Sequence, residues 1–217
     1  MHFSKKRINQ ILFLVIVIFA VIAGWSVSEL IKKEESSNNI EVNFNLTNHI
    51  GIKVSEKNYQ NYSKVFFFGF TYCPDICPIS ANLIANAIDE LKREQFSVDN
   101  IKFFFVTVDP RRDTPERLKE FLDSFDSEII GLTGSQEELL PLWKDFFVHV
   151  ESSIDSQHQS KLNQTDQDIT YDPEIKNYMV QHTAFFYIFD KNNNIKSILP
   201  FGASIEQLKK ELKIVGQ

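Results

Sequence analysis

Cysteine is scarce. The 217 residues contain two, Cys73 and Cys77, which rules out a fold stapled by a framework of disulfides. Standing four positions apart, they could close only a tiny loop, and such a bridge constrains the unfolded chain very little. The pair therefore reads as chemical rather than structural. No third cysteine exists to resolve an oxidised thiol from a distance, which argues against a peroxidase. Positive charge is also short: 23 Lys and Arg against 29 Asp and Glu leave a net charge of −6, a balance that excludes nucleic acid as the expected partner. Internal repeats are lacking. Once an apolar N-terminal segment is set aside, the remaining length suits one domain with a sizeable core.

What is present begins with that segment. Lys5, Lys6 and Arg7 precede an apolar run over residues 8–27, broken by Asn9, Gln10 and Ser26 and closed by Trp25. About twenty residues at helical rise are enough to cross a bilayer. The positive flank favours a cytoplasmic N-terminus with the remainder translocated, although Lys32 and Lys33 on the far side reduce the bias. The expectation is a membrane anchor over residues 1–30. A cleaved signal peptide is the alternative, with Val21 and Ala23 as small residues, but the run outlasts a usual signal core. Residues 31–41 are polar and aperiodic, which predicts a tether. The folded domain is expected over residues 42–217, opening with a β-hairpin between residues 42 and 54.

Two runs, residues 65–70 (VFFFGF) and 101–108 (IKFFFVTV), are apolar on both faces, the pattern of strands covered above and below by helices. Between them Ile79, Leu83, Ile84, Ala87, Ile88 and Leu91 keep one apolar stripe of helical period. Asp75 is a candidate N-cap and Pro78 falls in the first turn, so the helix starts between the two cysteines. The resulting βαβ unit places functional residues at the strand C-terminal ends, where Cys73 lies. Thr114-Pro115-Glu116 starts a second helix, with Leu118, Phe121, Leu122 and Phe125 as its buried face. A short strand at 129–132 follows. Ser135 with Glu138 then predicts a capping box and a helix to about residue 147, which Pro141 should kink or shorten. Residues 151–177 are polar and without period, an insertion that is either functional or disordered. A buried strand at 183–189 turns into 195–199. Ser204 with Gln207 caps a final helix whose buried side carries Ile205, Leu208 and Leu212. The order ββαβαβαββα predicts an α/β, thioredoxin-like domain: a central mixed sheet flanked by helices, with an N-terminal β-hairpin extension, behind one transmembrane helix.

In Cys73-Pro-Asp-Ile-Cys77, both sulfurs face the N-terminus of a helix, where unpaired N–H groups and the dipole favour thiolate. Two thiolates make either a redox pair or two ligands of a soft metal ion. Redox enzymes of this architecture normally carry two residues between the cysteines. Here there are three, which leaves room for a guest atom. Zinc asks for four ligands, or three plus water, whereas Cu(I) accepts fewer, prefers sulfur and takes imidazole naturally. Of the histidines, His2 lies before the anchor, His49 in a hairpin turn, His149 behind a helix and His158 in the polar insertion. His182 alone directly precedes a buried strand, and in a thioredoxin-like domain the loop entering that strand lies beside the cysteine turn. Asp109 and Asp113 share the same sheet edge. Asp113 suits a surface turn and helix cap, and Asp109 either a turn or support of the site.

The stretches GFTYCPDICP (69–78), TVDPRRDTPERLKEF (107–121), IGLTGS (130–135) and VQHTAFFYIFD (180–190), in this order behind an anchor, resemble the Sco/SenC family of copper-binding cytochrome oxidase assembly proteins. The resemblance covers roughly residues 42–213. It implies one copper ion, Cu(I) or Cu(II), bound through Cys73, Cys77 and His182, and delivered to subunit II of cytochrome c oxidase or another copper acceptor. It further implies a single-pass protein of the inner, energy-coupling membrane, with its globular domain in the periplasm. A thiol-disulfide reductase, in which Cys73 and Cys77 cycle, is the alternative from the enzyme class. Family members often carry His where Tyr72 stands and Asp where Gln181 stands.

Overall fold

A computed structural model describes residues 17–19, 21–22, 24–25, 40, 42–125, 128–152 and 178–217. The expected anchor and tether fall largely outside these residues, as does most of the polar insertion. Among the described residues no helix is long and apolar enough to cross a membrane. The chain divides into two units, residues 1–39 and 40–217. Ile40 is buried in the core of the second.

Strands β1 (Asn45–Asn48) and β2 (Lys53–Ser55) form the expected hairpin. Its turn has a local cause. The Asn48 Oδ1 accepts from the backbone N–H groups of Ile50 and Ile52 at 3.1 and 2.9 Å, and Gly51 takes φ +82, a conformation that glycine reaches without a Cβ clash. Strand β3 (Ser63–Gly69) is buried along its whole length. Helix α1 (Ile76–Arg93) follows, burying Ala81, Ile84, Ala87, Ile88 and Leu91, then strand β4 (Ile101–Thr107). Helix α2 (Pro115–Asp123) is capped by Thr114, whose hydroxyl accepts from the Arg117 N–H. Strand β5 (Ile129–Thr133) leads into helix α3 (Gln136–Asp145), where Ser135 and Glu138 form the predicted capping box. Pro141 sits inside α3 without ending it at that point. The helix closes at Asp145, two residues short of the expectation.

Strands β6 (Val150–Ser152) and β7 (Val180–His182) pair with each other in a separate antiparallel ribbon. This ribbon was not expected. The first residues of the polar insertion are strand, and His182 ends a strand rather than sitting in a loop. Strands β8 (Phe185–Phe189) and β9 (Ile195–Pro200) and helix α4 (Ile205–Val215) complete the chain as predicted.

The main sheet runs β2-β1-β5-β4-β3-β8-β9. The central β5-β4-β3 pairs are parallel and the outer pairs antiparallel, so the sheet is mixed and the architecture thioredoxin-like. Phe66, Phe67, Phe68, Phe103, Phe104, Phe105 and Phe186 are inaccessible to solvent. This stack of rings makes the centre of the sheet a rigid floor, with the C-terminal ends of β3 and β4 adjacent.

Candidate metal centre

β3 ends at Gly69, and the chain reaches Cys73 through Phe70-Thr71-Tyr72. A turn closes where the Cys73 N–H donates to the Phe70 carbonyl at 3.3 Å. α1 begins at Ile76, so Cys77 lies in its first turn and Cys73 just ahead of it. Asp75 occupies the N-cap position but makes no side-chain cap hydrogen bond. The Cys73 sulfur stands just ahead of this helix start, where the nearby backbone N–H groups favour its thiolate. The prediction that Asp75 caps the helix through its side chain is corrected accordingly.

The two thiols are unequal. Cys77 is fully buried, whereas Cys73 is half-buried. The hydrogen bond from the Cys77 thiol, together with the helix N–H groups, pulls the Cys73 thiol down to about 5. The same bond and burial push Cys77 well above the usual thiol range. At neutral pH the pair therefore holds one thiolate, on Cys73, and one thiol, on Cys77.

His182 closes the site from the ribbon. Its Nε2 lies 3.7 Å from the Cys77 Sγ across 105 positions of sequence. Its Nδ1 lies 3.0 Å from the Thr183 carbonyl, which can only accept. The proton therefore sits on Nδ1, and the Nε2 lone pair faces the sulfur. Burial lowers the imidazole below its ordinary value, so it is neutral and able to ligate. A nitrogen and a sulfur sharing one ion at roughly 2.0–2.3 Å would stand about 3.5–3.7 Å apart at tetrahedral to trigonal angles, which is the separation found. Among the described residues no three His, Cys, Asp or Glu side chains form a ready-made metal cluster. Cys77 is the member in contact with both of the others.

Gly69 is needed for this approach. A Cβ there would lie 2.8 Å from the Cys77 Sγ and 2.9 Å from the Phe105 Cζ. On the other side of the turn, Asp113 departs from the surface role expected of it. It is fully buried, with its carboxylate accepting from the Thr71 N–H at 3.1 Å and from the Thr71 and Thr107 hydroxyls at 2.6 Å each. Burial nevertheless raises it to about 6. Asp109 is both a turn residue, accepting through its carbonyl from the Arg112 and Asp113 N–H groups, and the carboxylate partner of Arg112 and Tyr178.

Of the other histidines, His49 accepts from the Gly131 N–H and joins the hairpin to β5. His149 is exposed, and His2 and His158 lie outside the described residues. Tyr72 is 48% exposed, with the Arg112 and Arg117 guanidiniums 4.8 and 4.9 Å from its ring centroid. Gln181 is exposed, between Val180 and His182 on a strand whose side chains alternate. Sequence reasoning passed over Arg112, Arg117, Thr183 and Tyr178. The only signal for Tyr178 was an aromatic residue at the end of a polar stretch, and none marked its partners.

A family model described as SCO1/SenC matches residues 32–216. Protein sco1 of Schizosaccharomyces pombe is 31% identical over 78% of this chain and 58% of its own length. The SCO2-like protein RP587 of Rickettsia prowazekii is 34% identical over 69% of this chain and 63% of its own. The chain thus spans less than two thirds of these relatives. Among solved structures, Arabidopsis thaliana ScoI with copper bound superposes with a TM-score of 0.63 at 28% identity, over 79% of this chain and 97% of that one. Yeast Sco1 with copper bound gives 0.64 at 26% identity, over 79% and 85%.

Proposed function

The chain belongs to the SCO1/SenC family, and from that premise we propose that it is a metallochaperone whose cargo is one copper ion, held by Cys73, Cys77 and His182. The observation that carries the reading is the 3.7 Å approach of the His182 Nε2 to the Cys77 Sγ, at a helix start that also holds the Cys73 thiolate. Two sulfurs and one neutral imidazole are a soft, incomplete donor set that copper accepts; the same three ligands plus a water would also serve zinc, and copper is preferred here because solved relatives hold it. Incompleteness serves transfer: thiolates of an acceptor can displace these ligands one at a time from the half-buried Cys73 side. The acceptor we propose is subunit II of cytochrome c oxidase. In this reading residues 1–30 anchor the protein in an energy-coupling membrane, with the globular domain on the periplasmic side.

The test is copper stoichiometry of the wild-type protein and of Cys73→Ser, Cys77→Ser and His182→Ala. One copper per wild-type chain is expected, with tight binding lost in each variant. Unit stoichiometry retained by any of the three removes that residue from the ligand set.

The inequality of the thiols favours a second reading, thiol-disulfide exchange. The half-buried, low-pKa Cys73 would attack a partner disulfide, Cys77 would release the mixed disulfide, and the partner would leave as two thiols while Cys73 and Cys77 end as a disulfide. Rapid insulin reduction by copper-free protein, unchanged in His182→Ala, would favour this reading over the chaperone.

A further inference from the structure

The two halves of the site come from distant parts of the chain: the cysteines from the β3–α1 turn, and His182 from a two-stranded ribbon outside the main sheet. One side chain touches both. The Arg112 guanidinium lies 3.6 Å from the ring centroid of Tyr178, at the foot of β7, and 4.8 and 5.7 Å from those of Tyr72 and Phe70 in the cysteine turn. Its Nη1 donates to the Tyr178 carbonyl at 3.0 Å, and its Nε donates to the Asp109 carboxylate, which also accepts from the Tyr178 hydroxyl. Arg112 and Asp109 are 12% and 3% exposed. The pair is thus buried, and its geometry is set by planar stacking and directed bonds rather than by charge alone. His182 itself meets the Phe70 ring in a T-shaped contact, with centroids 5.9 Å apart.

We propose that Arg112, held by Asp109, is the positioning residue that keeps the His182 ribbon registered over the cysteine turn, and so sets the span between the imidazole and the sulfurs. It acts through Phe70, Tyr72 and Tyr178, and does not itself ligate. The inference rests on the three-ligand reading for its consequence in metal binding. Its geometric core, the registry of ribbon and turn, stands without metal.

The experiment has a metal-free and a metal-loaded arm, run on wild type, Arg112→Ala, Arg112→Lys and Tyr178→Phe, with folding checked by circular dichroism. In the metal-free protein, NMR cross-peaks between the His182 and Phe70 rings are expected in wild type. They should be lost in Arg112→Ala and weakened in Arg112→Lys, which keeps the charge but not the planar stack. In the copper-loaded protein, nitrogen hyperfine coupling in the Cu(II) spectrum should disappear from Arg112→Ala while thiolate charge-transfer absorption persists, with affinity down by about 10–100-fold. Arg112→Ala leaves Asp109 buried without its counter-charge. If it fails to fold, Arg112→Lys and Tyr178→Phe decide the question by the same readouts. Wild-type ring contacts and nitrogen coupling in every folded variant would overturn the proposal. Copper binding absent from wild type itself would overturn the proposed function and leave the metal-free arm to judge the clamp.

Discussion

At the scale of single residues, the two cysteines are chemically distinct. Cys73 is a thiolate above about pH 5 because the Cys77 thiol and two helix N–H groups donate to it. Cys77 keeps its proton because it is the donor and is buried. A group pulled down in this way is charged above its pKa and loses its charge as pH falls through it. Alkylation of the native protein by iodoacetamide should therefore modify Cys73 alone, with a rate that falls off below a midpoint near pH 5. Because Cys73 is already ionised and His182 already neutral, one copper bound at pH 7 should release about one proton, from Cys77. Calorimetry in buffers of different ionisation enthalpy measures that number; two or more protons would contradict the assignment. That His182 would come to stand beside the cysteine turn was legible in the sequence through spacing and neighbouring strands. The inequality of the two cysteines was not, since it depends on which sulfur the fold turns inward.

At the scale of elements, the site depends on how closely α1 can approach the end of β3. Gly69 pairs with Thr107 in the parallel ladder, and the space a Cβ would fill is occupied by the Cys77 Sγ and the Phe105 ring. Gly69→Ala should force one of them away, costing about 1–3 kcal/mol as overpacking of a filled core does. The measurements are denaturant unfolding, together with copper affinity, which should fall because Cys77 moves relative to His182. An unchanged affinity would show that the sulfur need not hold its present place. The ribbon β6–β7 is the element that sequence reasoning did not find. Each of its strands has three residues, too few to show alternation, and the partners are separated by the polar insertion.

At the scale of the whole molecule, Asp113 gathers three strand ends. Its carboxylate serves the β3 turn through Thr71 and β4 through Thr107, and its carbonyl accepts from the Thr133 hydroxyl on β5 at 2.8 Å. Burial raises Asp113 to about 6, above the roughly 3.9 of an exposed aspartate. The folded form therefore binds its proton more tightly than the unfolded one. The stability this contributes is fully present below the unfolded value and lost as pH rises through about 6. Asp113→Asn cannot titrate. The unfolding free energy of wild type relative to this variant should rise by on the order of 2 kcal/mol between pH 7 and pH 4. A flat difference over that window would show that the hydrogen bonds from Thr71 and Thr107 outweigh burial.

The sequence alone determined what local periodicity and spacing can carry. These are the βαβ unit, the capped starts of α2, α3 and α4, the place of the cysteine pair at a strand-to-helix turn, and the place of His182 directly ahead of a buried strand. Tertiary structure alone decided which sulfur is a thiolate, that Asp113 is interior rather than exposed, and that His182 arrives on a ribbon. It also decided that Arg112 lies between that ribbon and the cysteine turn. The reason is physical: helix and strand patterns report which face of an element is covered. Ionisation, registry between distant segments and the burial of single polar groups depend on what covers it.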